Sequence, residues 1–314
     1  MTEQPAWSLR PFRQGDDEAI VALWNRTLAS DPISPALFRR QTLLDPSFSP
    51  EGCLVAEREG VLQGFVLAVA PAPAGESRLF ATRRGTGRIA ALGVAPEARR
   101  HGLGSALLDA ALEFLRRQSC GRAVVAAHEY YVPGVDRDRY AEGLAFLMRR
   151  GFIERGEAIA MGRPLYDLEW PAGVRAAEAQ LRQEGIEVCS FEPRDTYALA
   201  RYFRAEFPTW IEFFTKKLDA RHDLDEIVIA THGDEVIGYC QQLEADHVGP
   251  FGVAAAYRNR GIGSVMLYRL LERMREKGYR FAWFGETGRA RSYYERAGFQ
   301  VTRTYALLSR DLGS

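Results

Sequence analysis

Two periods of apolar spacing alternate along this chain, and they recur in the same order in its two halves. Ile20, Leu23, Trp24 and Leu28 fall at helical spacing, one apolar face of an amphipathic helix. Strand-length apolar stretches follow. Cys53–Glu57 turns at Glu59-Gly60 into Val61–Ala70, and its counterpart Ile227–Thr231 turns through His232-Gly233-Asp234 into Val236–Leu243. Each pair reads as a β-hairpin, because glycine and its polar neighbours supply the backbone angles of a tight reversal. A further short strand comes next, Ala90–Val94 or Gly249–Val253, and a helix opens a few residues later. In the second copy of that helix Leu267, Leu270, Leu271 and Met274 share one face. Another strand, Ala123–Ala127 or Arg280–Phe284, then a helix ending at Gly-Phe and a final strand complete each half. This order predicts an α+β (mixed α/β) chain of two tandem domains, each a twisted mixed sheet flanked by helices.

The repeat is carried by residues as well as by periods. Gly93-Val94 matches Gly252-Val253, and Gly102 matches Gly261 at the same spacing. Upstream, Gly64 matches Gly238; downstream, Gly151-Phe152 matches Gly298-Phe299. The spacing drifts because the first half carries two insertions, around Pro71–Arg88 and over Glu129–Tyr140. The expected division is a first domain over 1–167, a linker over 168–185 and a second domain over 186–314. Within the linker Pro171 and Gly173 break structure and Val174–Gln183 reads as a short charged helix. A length of 314 residues also suggests two domains.

Composition mostly excludes. Lys+Arg 41 against Asp+Glu 41 leaves a formal net charge of zero, which speaks against nucleic acid or a membrane surface as partner. No apolar run approaches the ~18 residues of a membrane span and no leader precedes the first strand, so a cytoplasmic protein is expected. Cys53, Cys120, Cys189 and Cys240 lack paired or metal-ligand spacing, and the five histidines form no pair at ligand spacing. Free thiols and no metal are therefore expected. The oligomeric state is left open between monomer and homodimer.

The candidate chemistry lies in a duplicated turn. It reads Arg258-Asn259-Arg260-Gly261-Ile262-Gly263-Ser264 in the second half and Arg99-Arg100-His101-Gly102-Leu103-Gly104-Ser105 in the first. Each copy joins a short strand to a helix start. Glycines let the backbone approach a ligand, and the unpaired N–H groups of the first helical turn point at oxyanions. A basic turn of this kind holds phosphate. An ordinary surface helix start remains the alternative, and a duplicated domain can keep such a turn after losing its ligand.

On these residues both halves resemble the Gcn5-related N-acetyltransferases (GNAT), whose signature is Arg/Gln-x-x-Gly-x-Gly/Ala after a central strand. Tyr293-Tyr294-Glu295-Arg296-Ala297-Gly298-Phe299 is similar to the family's late helix. The resemblance implies two acyl-CoA N-acyltransferase domains with acetyl-CoA as co-substrate. Its pyrophosphate would lie on the amides of residues 259–264, with Arg258 and Arg260 adding charge. Pantetheine would run along Phe251-Gly252-Val253, an N–H near Val253 polarising the thioester carbonyl. In the first half the matching contacts fall on Leu92, Val94 and Arg99–Ser105.

An acceptor amine, on a small molecule or a peptide, would attack directly. Tyr294, four residues before the glycine of Gly-Phe, would protonate the departing thiolate, with Tyr293 as the alternative. Leu147 holds that place in the first half, so chemistry is expected in the second, and the intact first turn keeps the reverse open. Glu244 is the candidate base, with His247 beside it; both also read as turn residues. Thr287 stands where the family often has asparagine, and Arg289 and Arg291 reach either phosphates or solvent. Phe207, Trp210, Phe213 and Phe214 fall where the family roofs its acceptor site, or else belong to the core. A non-catalytic acyl-CoA sensor is the alternative function.

Overall fold

The computed structural model describes residues 7–71, 85–125, 132–211, 214–215, 224–285 and 290–313. The chain divides into two compact units, Met1–Ala158 with Arg303–Ser314 (unit 1) and Ile159–Thr302 (unit 2). The first half supplies strands β1 (Ser8–Pro11), β2 (Cys53–Arg58), β3 (Val61–Val69), β4 (Thr86–Val94), β5 (Arg122–Val125), β6 (Val135–Asp136) and β7 (Ile153–Pro164). The second supplies β8 (Ile186–Ser190), β9 (Ile227–His232), β10 (Glu235–Glu244), β11 (His247–Val253), β12 (Phe281–Phe284) and β13 (Gln300–Asp311).

In unit 1 the strands β1 to β4 are antiparallel neighbours in sequence order, and β5 lies parallel to β4. Alternation along the strands sends side chains to two faces. Val55, Phe65 and Leu67 pack with Ile20 and Trp24 of the helix Asp16–Thr27, while Ala56, Val66 and Ala68 pack with Leu107, Leu108 and Leu112 of the helix Leu103–Arg117. Unit 2 repeats the plan: β8 to β11 antiparallel in order, β12 parallel to β11, and the helices Thr196–Glu206 and Ile262–Glu276. The matched glycines of β3 and β10 have a packing cause. A Cβ on Gly64 would stand 2.8 Å from Leu107, and one on Gly238 2.6 Å from Met266, so both let the following helix settle onto the sheet.

The sixth strand of each sheet corrects the sequence expectation that each half closes on its own final strand. In unit 1, β13 pairs antiparallel with β5, Leu308–Asp311 against Arg122–Val125. In unit 2, β7 pairs antiparallel with β12, Met161–Pro164 against Phe281–Phe284. The chain therefore leaves unit 1 within β7 and returns to it within β13. Period-2 patterning specifies which face of a strand is buried but not which edge it joins.

Two other boundaries differ from expectation. The segment expected as a linker, 168–185, lies inside unit 2, where its helix Ala172–Gln183 packs beside Ile262–Glu276 and Glu178 accepts from Arg269 at 2.6 Å. β4 begins at Thr86, within the stretch read as an insertion. All four cysteines are free, and no described helix is long and apolar enough to cross a membrane.

Candidate active site

Both glycine turns are built from the same conformations. A 3-10 turn, Pro96–Ala98 or Ala255–Tyr257, leads from the strand to an arginine whose Nε donates back to the strand's last carbonyl. Arg99 reaches Val94 O and Arg258 reaches Val253 O, each at 3.1 Å. Arg100 and Asn259 then take left-handed φ angles of 66° and 64°, followed by Gly102 at 81° and Gly261 at 84°. The reversal places Leu103 and Ile262 in the cores and starts a 15-residue helix in each unit, with no side chain capping either start. The first-turn N–H groups and the positive end of the helix dipole are thus available to an anion.

The surroundings of the two turns differ. A Cβ on Gly261 would stand 2.9 Å from Ala177, so the helix Ala172–Gln183 flanks that turn; one on Gly102 would meet nothing within 4 Å. Arg260 lies over the Tyr257 ring at 5.5 Å and pairs with Glu184, whose carboxyl is held below its usual pKa by Gln180 and by this arginine. The second glycine of each turn borders the motif strand. A Cβ on Gly263 would stand 3.5 Å from Phe251 and 3.7 Å from Val253, and one on Gly104 3.6 Å from Val94.

Beside the unit 2 turn the parallel strand pair opens. β11 meets β12 at one register pair, His247 with Trp283, whose rings stack 3.9 Å apart. From there the described part of β12 leaves one edge of Val248–Val253 unpaired, exposing backbone N–H and C=O groups to the gap. In unit 1 the described pairing of β4 with β5 runs from Thr86 to Ile89, its last pair falling on Val125, the last described residue of β5.

Tyr294 enters this region from the helix Arg291–Arg296. Its ring centroid lies 4.4 Å from that of Phe284, 5.7 Å from Phe299 and 6.3 Å from Phe251, and the residue is 5% exposed. Burial, with smaller contributions from Tyr293 and Cys240, raises the phenol's pKa well above its usual value. It keeps its proton at neutral pH. Tyr293 turns instead to the helix start, its Oη 3.5 Å from the Cβ position of Gly263.

Glu244 sits away from this cluster. It ends β10 and pairs in register with His247, while Val253 pairs with Gly238 at the other end of the hairpin. Phe207 and Trp210 stack 3.9 Å apart against Gly252, where a Cβ would come within 2.7 Å of Trp210. These rings account for the glycine at 252. Phe214 is a core residue against Phe191 and Phe203. Arg291 pairs with Glu295 at 2.8 Å. Phe213, Thr287 and Arg289 lie outside the described residues. Two contacts to this strand end were not foreseen: Tyr202 Oη donates to Gly252 O at 3.0 Å, and Ala255 N to Glu206 Oε2 at 3.1 Å. Nothing in the spacing of an amphipathic helix singles those two side chains out.

A sequence profile described as the acetyltransferase (GNAT) family matches residues 18–133 and again 192–299. The chain belongs to this family. Both matches end before the strands that the two GNAT units exchange. A curated relative named mycothiol acetyltransferase, from Acidothermus cellulolyticus, is 32% identical over 166 residues, which cover 48% of this chain and 49% of the relative. The matched stretch thus spans about half of that relative. The GCN5-related glucosamine N-acetyltransferase region of a fungal multi-domain GH3 β-N-acetylglucosaminidase superposes with a TM-score of 0.79 at 19% identity, over 98% of this chain and 38% of that one. A tandem GNAT protein from the clavulanic acid biosynthesis pathway gives 0.65 at 17%, over 98% and 99%. At such identities the likeness is one of fold.

The first GNAT unit has no phenol at the two matching positions. Leu147, buried, occupies the place of Tyr294, and the Phe146 ring comes within 3.8 Å of the Cβ position of Gly104, as Tyr293 does at Gly263. Its insertion instead closes an ion network. Arg303 of β13 donates from Nη1 and Nη2 to Asp31 at 2.5 and 2.8 Å and from Nε to Asp136 at 2.6 Å. Tyr140 Oη adds a bond to Asp31 at 2.8 Å. Burial alone would raise the Asp136 carboxyl, but the Arg139 backbone N–H and Arg303 outweigh it and hold the pKa low. Burial likewise opposes the Arg303 charge, and its two carboxylates more than restore it.

Proposed function

We propose that unit 2 moves the acetyl group of acetyl-CoA onto a primary amine by direct attack. The observation behind this reading is one juxtaposition: a phosphate-type turn, an unpaired edge along β11 and a protonated phenol at Tyr294 border one gap. The amides of residues 259–264 hold the pyrophosphate, and β11 holds pantetheine through its backbone. Arg258 and Arg260 already have protein partners at Val253 O and Glu184, so they act through their remaining N–H groups and their field.

In the reaction the amine nitrogen bonds to the thioester carbon, the C–S bond breaks, and the electron pair leaves on sulfur. A thiol has a pKa of about 8.5, below that of a buried phenol. Tyr294 therefore stabilises the thiolate by donating a hydrogen bond, and the proton lost by the amine completes the thiol. Glu244, at the far end of the hairpin, is the candidate to relay that proton through water. Side chains alternate along β11, so Phe207 and Trp210 against Gly252 lie on the face away from Gly263. They favour an acceptor with an apolar part. The curated relative's name makes deacetylated mycothiol the first amine to try.

The test is free-thiol release from acetyl-CoA with deacetylated mycothiol, an aminoglycoside, free amino acids and a peptide N-terminus. Amine-dependent thiol above the hydrolysis background supports the reading. Calorimetric binding of acetyl-CoA with no turnover on any amine would replace it with an acyl-CoA sensor. That second reading is favoured by unit 1, which keeps the turn without the phenol.

A further inference from the structure

The hydroxyl of Tyr293 is buried and has no hydrogen-bond partner. Ser264, in the first turn of Ile262–Glu276, lies close enough to lower the phenol's pKa against the larger opposing effect of burial, yet the two make no bond of proper geometry. A buried, unpaired hydroxyl is unfavourable, and the usual resolution is a partner from outside the chain. The position of this one is informative. It stands 3.5 Å from the Cβ position of Gly263, where the motif strand meets the helix start. Phe251, half-buried and stacked 6.0 Å from the Tyr293 ring, screens it on the strand side. Two hydroxyls, Tyr293 and Ser264, therefore lie together at the uncapped helix start. Unit 1 provides a natural control: Ser105 opens the matching helix, but Phe146 stands where Tyr293 does and carries no hydroxyl.

We propose that Tyr293 is a phosphate-binding residue of unit 2, its hydroxyl donating to a phosphoryl oxygen of bound acetyl-CoA beside Ser264. This assignment rests on the proposed placement of acetyl-CoA in unit 2. It gives the adjacent tyrosines separate tasks, Tyr293 holding the phosphate and Tyr294 serving the sulfur. It also gives unit 2 a donor where unit 1 has Phe146.

The experiment titrates acetyl-CoA calorimetrically into Tyr293→Phe and its parent, both in a Gly104→Leu background so that only the unit 2 turn can fill. One hydrogen bond to a charged oxygen should make the Phe variant bind about tenfold more weakly. Competition by S-acetylpantetheine, which has no phosphate, should be unchanged. The ligand-free melting temperature should hold or rise, because an unpaired hydroxyl has been removed. Unchanged acetyl-CoA affinity, an equal loss for S-acetylpantetheine, or a lower ligand-free melting temperature would each overturn the assignment. A parent protein that binds no acetyl-CoA would instead overturn the placement in unit 2, and this role with it.

Discussion

The two GNAT units share a turn to within a few degrees and differ in what stands around it. In unit 2 two phenols and an aromatic pair pack against the motif strand beside the turn, and a helix flanks the glycine. In unit 1 the same positions carry Leu147 and Phe146, and among the described residues Asp31, Asp136 and Tyr140 bond in a network that includes Arg303. Every carboxylate there is already bonded within the chain. The contrast separates two properties that a duplicated motif usually confounds. The turn is a consequence of the fold, because Gly102 and Gly261 start a helix that builds the core in either unit. On the proposed reading, chemistry depends instead on hydroxyls that packing alone does not require. Conservation of the turn alone is thus a poor guide to where reaction occurs.

The sharpest way to break this comparison is to fill the second glycine of each turn. Gly263 and Gly104 have ordinary φ angles and room for a Cβ, whereas Gly261 is left-handed and close to Ala177. Gly263→Leu should push its side chain into the gap. Losing three charge-assisted hydrogen bonds at about 1.5 kcal/mol each would weaken acetyl-CoA binding about a thousandfold, with turnover lost alongside. Gly104→Leu should leave turnover within about threefold. If the first-unit variant is the inactive one, the assignment of the units is reversed.

Next in size is Tyr294→Phe, which should lower kcat by about a hundredfold, the low end for removing one donor to a developing negative charge, at unchanged KM for acetyl-CoA. An equal kcat for the two proteins would make Tyr294 a packing residue. A third variant sharpens the unit 1 side. Arg303→Met leaves Asp31 and Asp136 without their counter-charge and should cost about 3 kcal/mol by urea denaturation, the low end for a broken buried pair because the network keeps some contact with water. No stability change would show that the network is incidental.

The smallest effect concerns pH. The folded Asp136 pKa is depressed, so its contribution is present above the unfolded value of about 3.9 and is lost as pH falls through the folded pKa. Urea midpoints between pH 5 and 2 should therefore fall less steeply in Asp136→Asn than in the wild-type protein. Parallel curves would remove Asp136 from the acid response.

Much of this was legible in the sequence, and its failures have identifiable causes. Hairpins, motif strands and motif helices were readable because each is specified locally, by glycine at a reversal or an apolar stripe at helical spacing. The exchange of β7 and β13 was not, since both follow a Gly-Phe helix end and carry the same alternation. Nothing local says which sheet edge receives them. Arg303 with Asp31 is a contact 272 residues apart in sequence, beyond any periodicity. Tyr293 and Tyr294 were both visible, but only packing distinguishes a ring against Phe284 from a hydroxyl beside Ser264. Gly252 was read as a ligand contact, and the structure gives it a second cause in the Phe207 and Trp210 rings.

The return of the chain through β13 also bears on the order in which the protein is made. Domains generally fold as they emerge from the ribosome, the N-terminal one first. Here that order is inverted. By the time residue 302 has been added, every residue of unit 2 exists, while unit 1 still lacks the strand that covers β5 and the arginine that neutralises Asp31 and Asp136. The half synthesised first waits for the half synthesised last, with an open sheet edge exposed in the meantime. Slow or interrupted translation between residues 158 and 303 should therefore injure unit 1, whose other residues are already made.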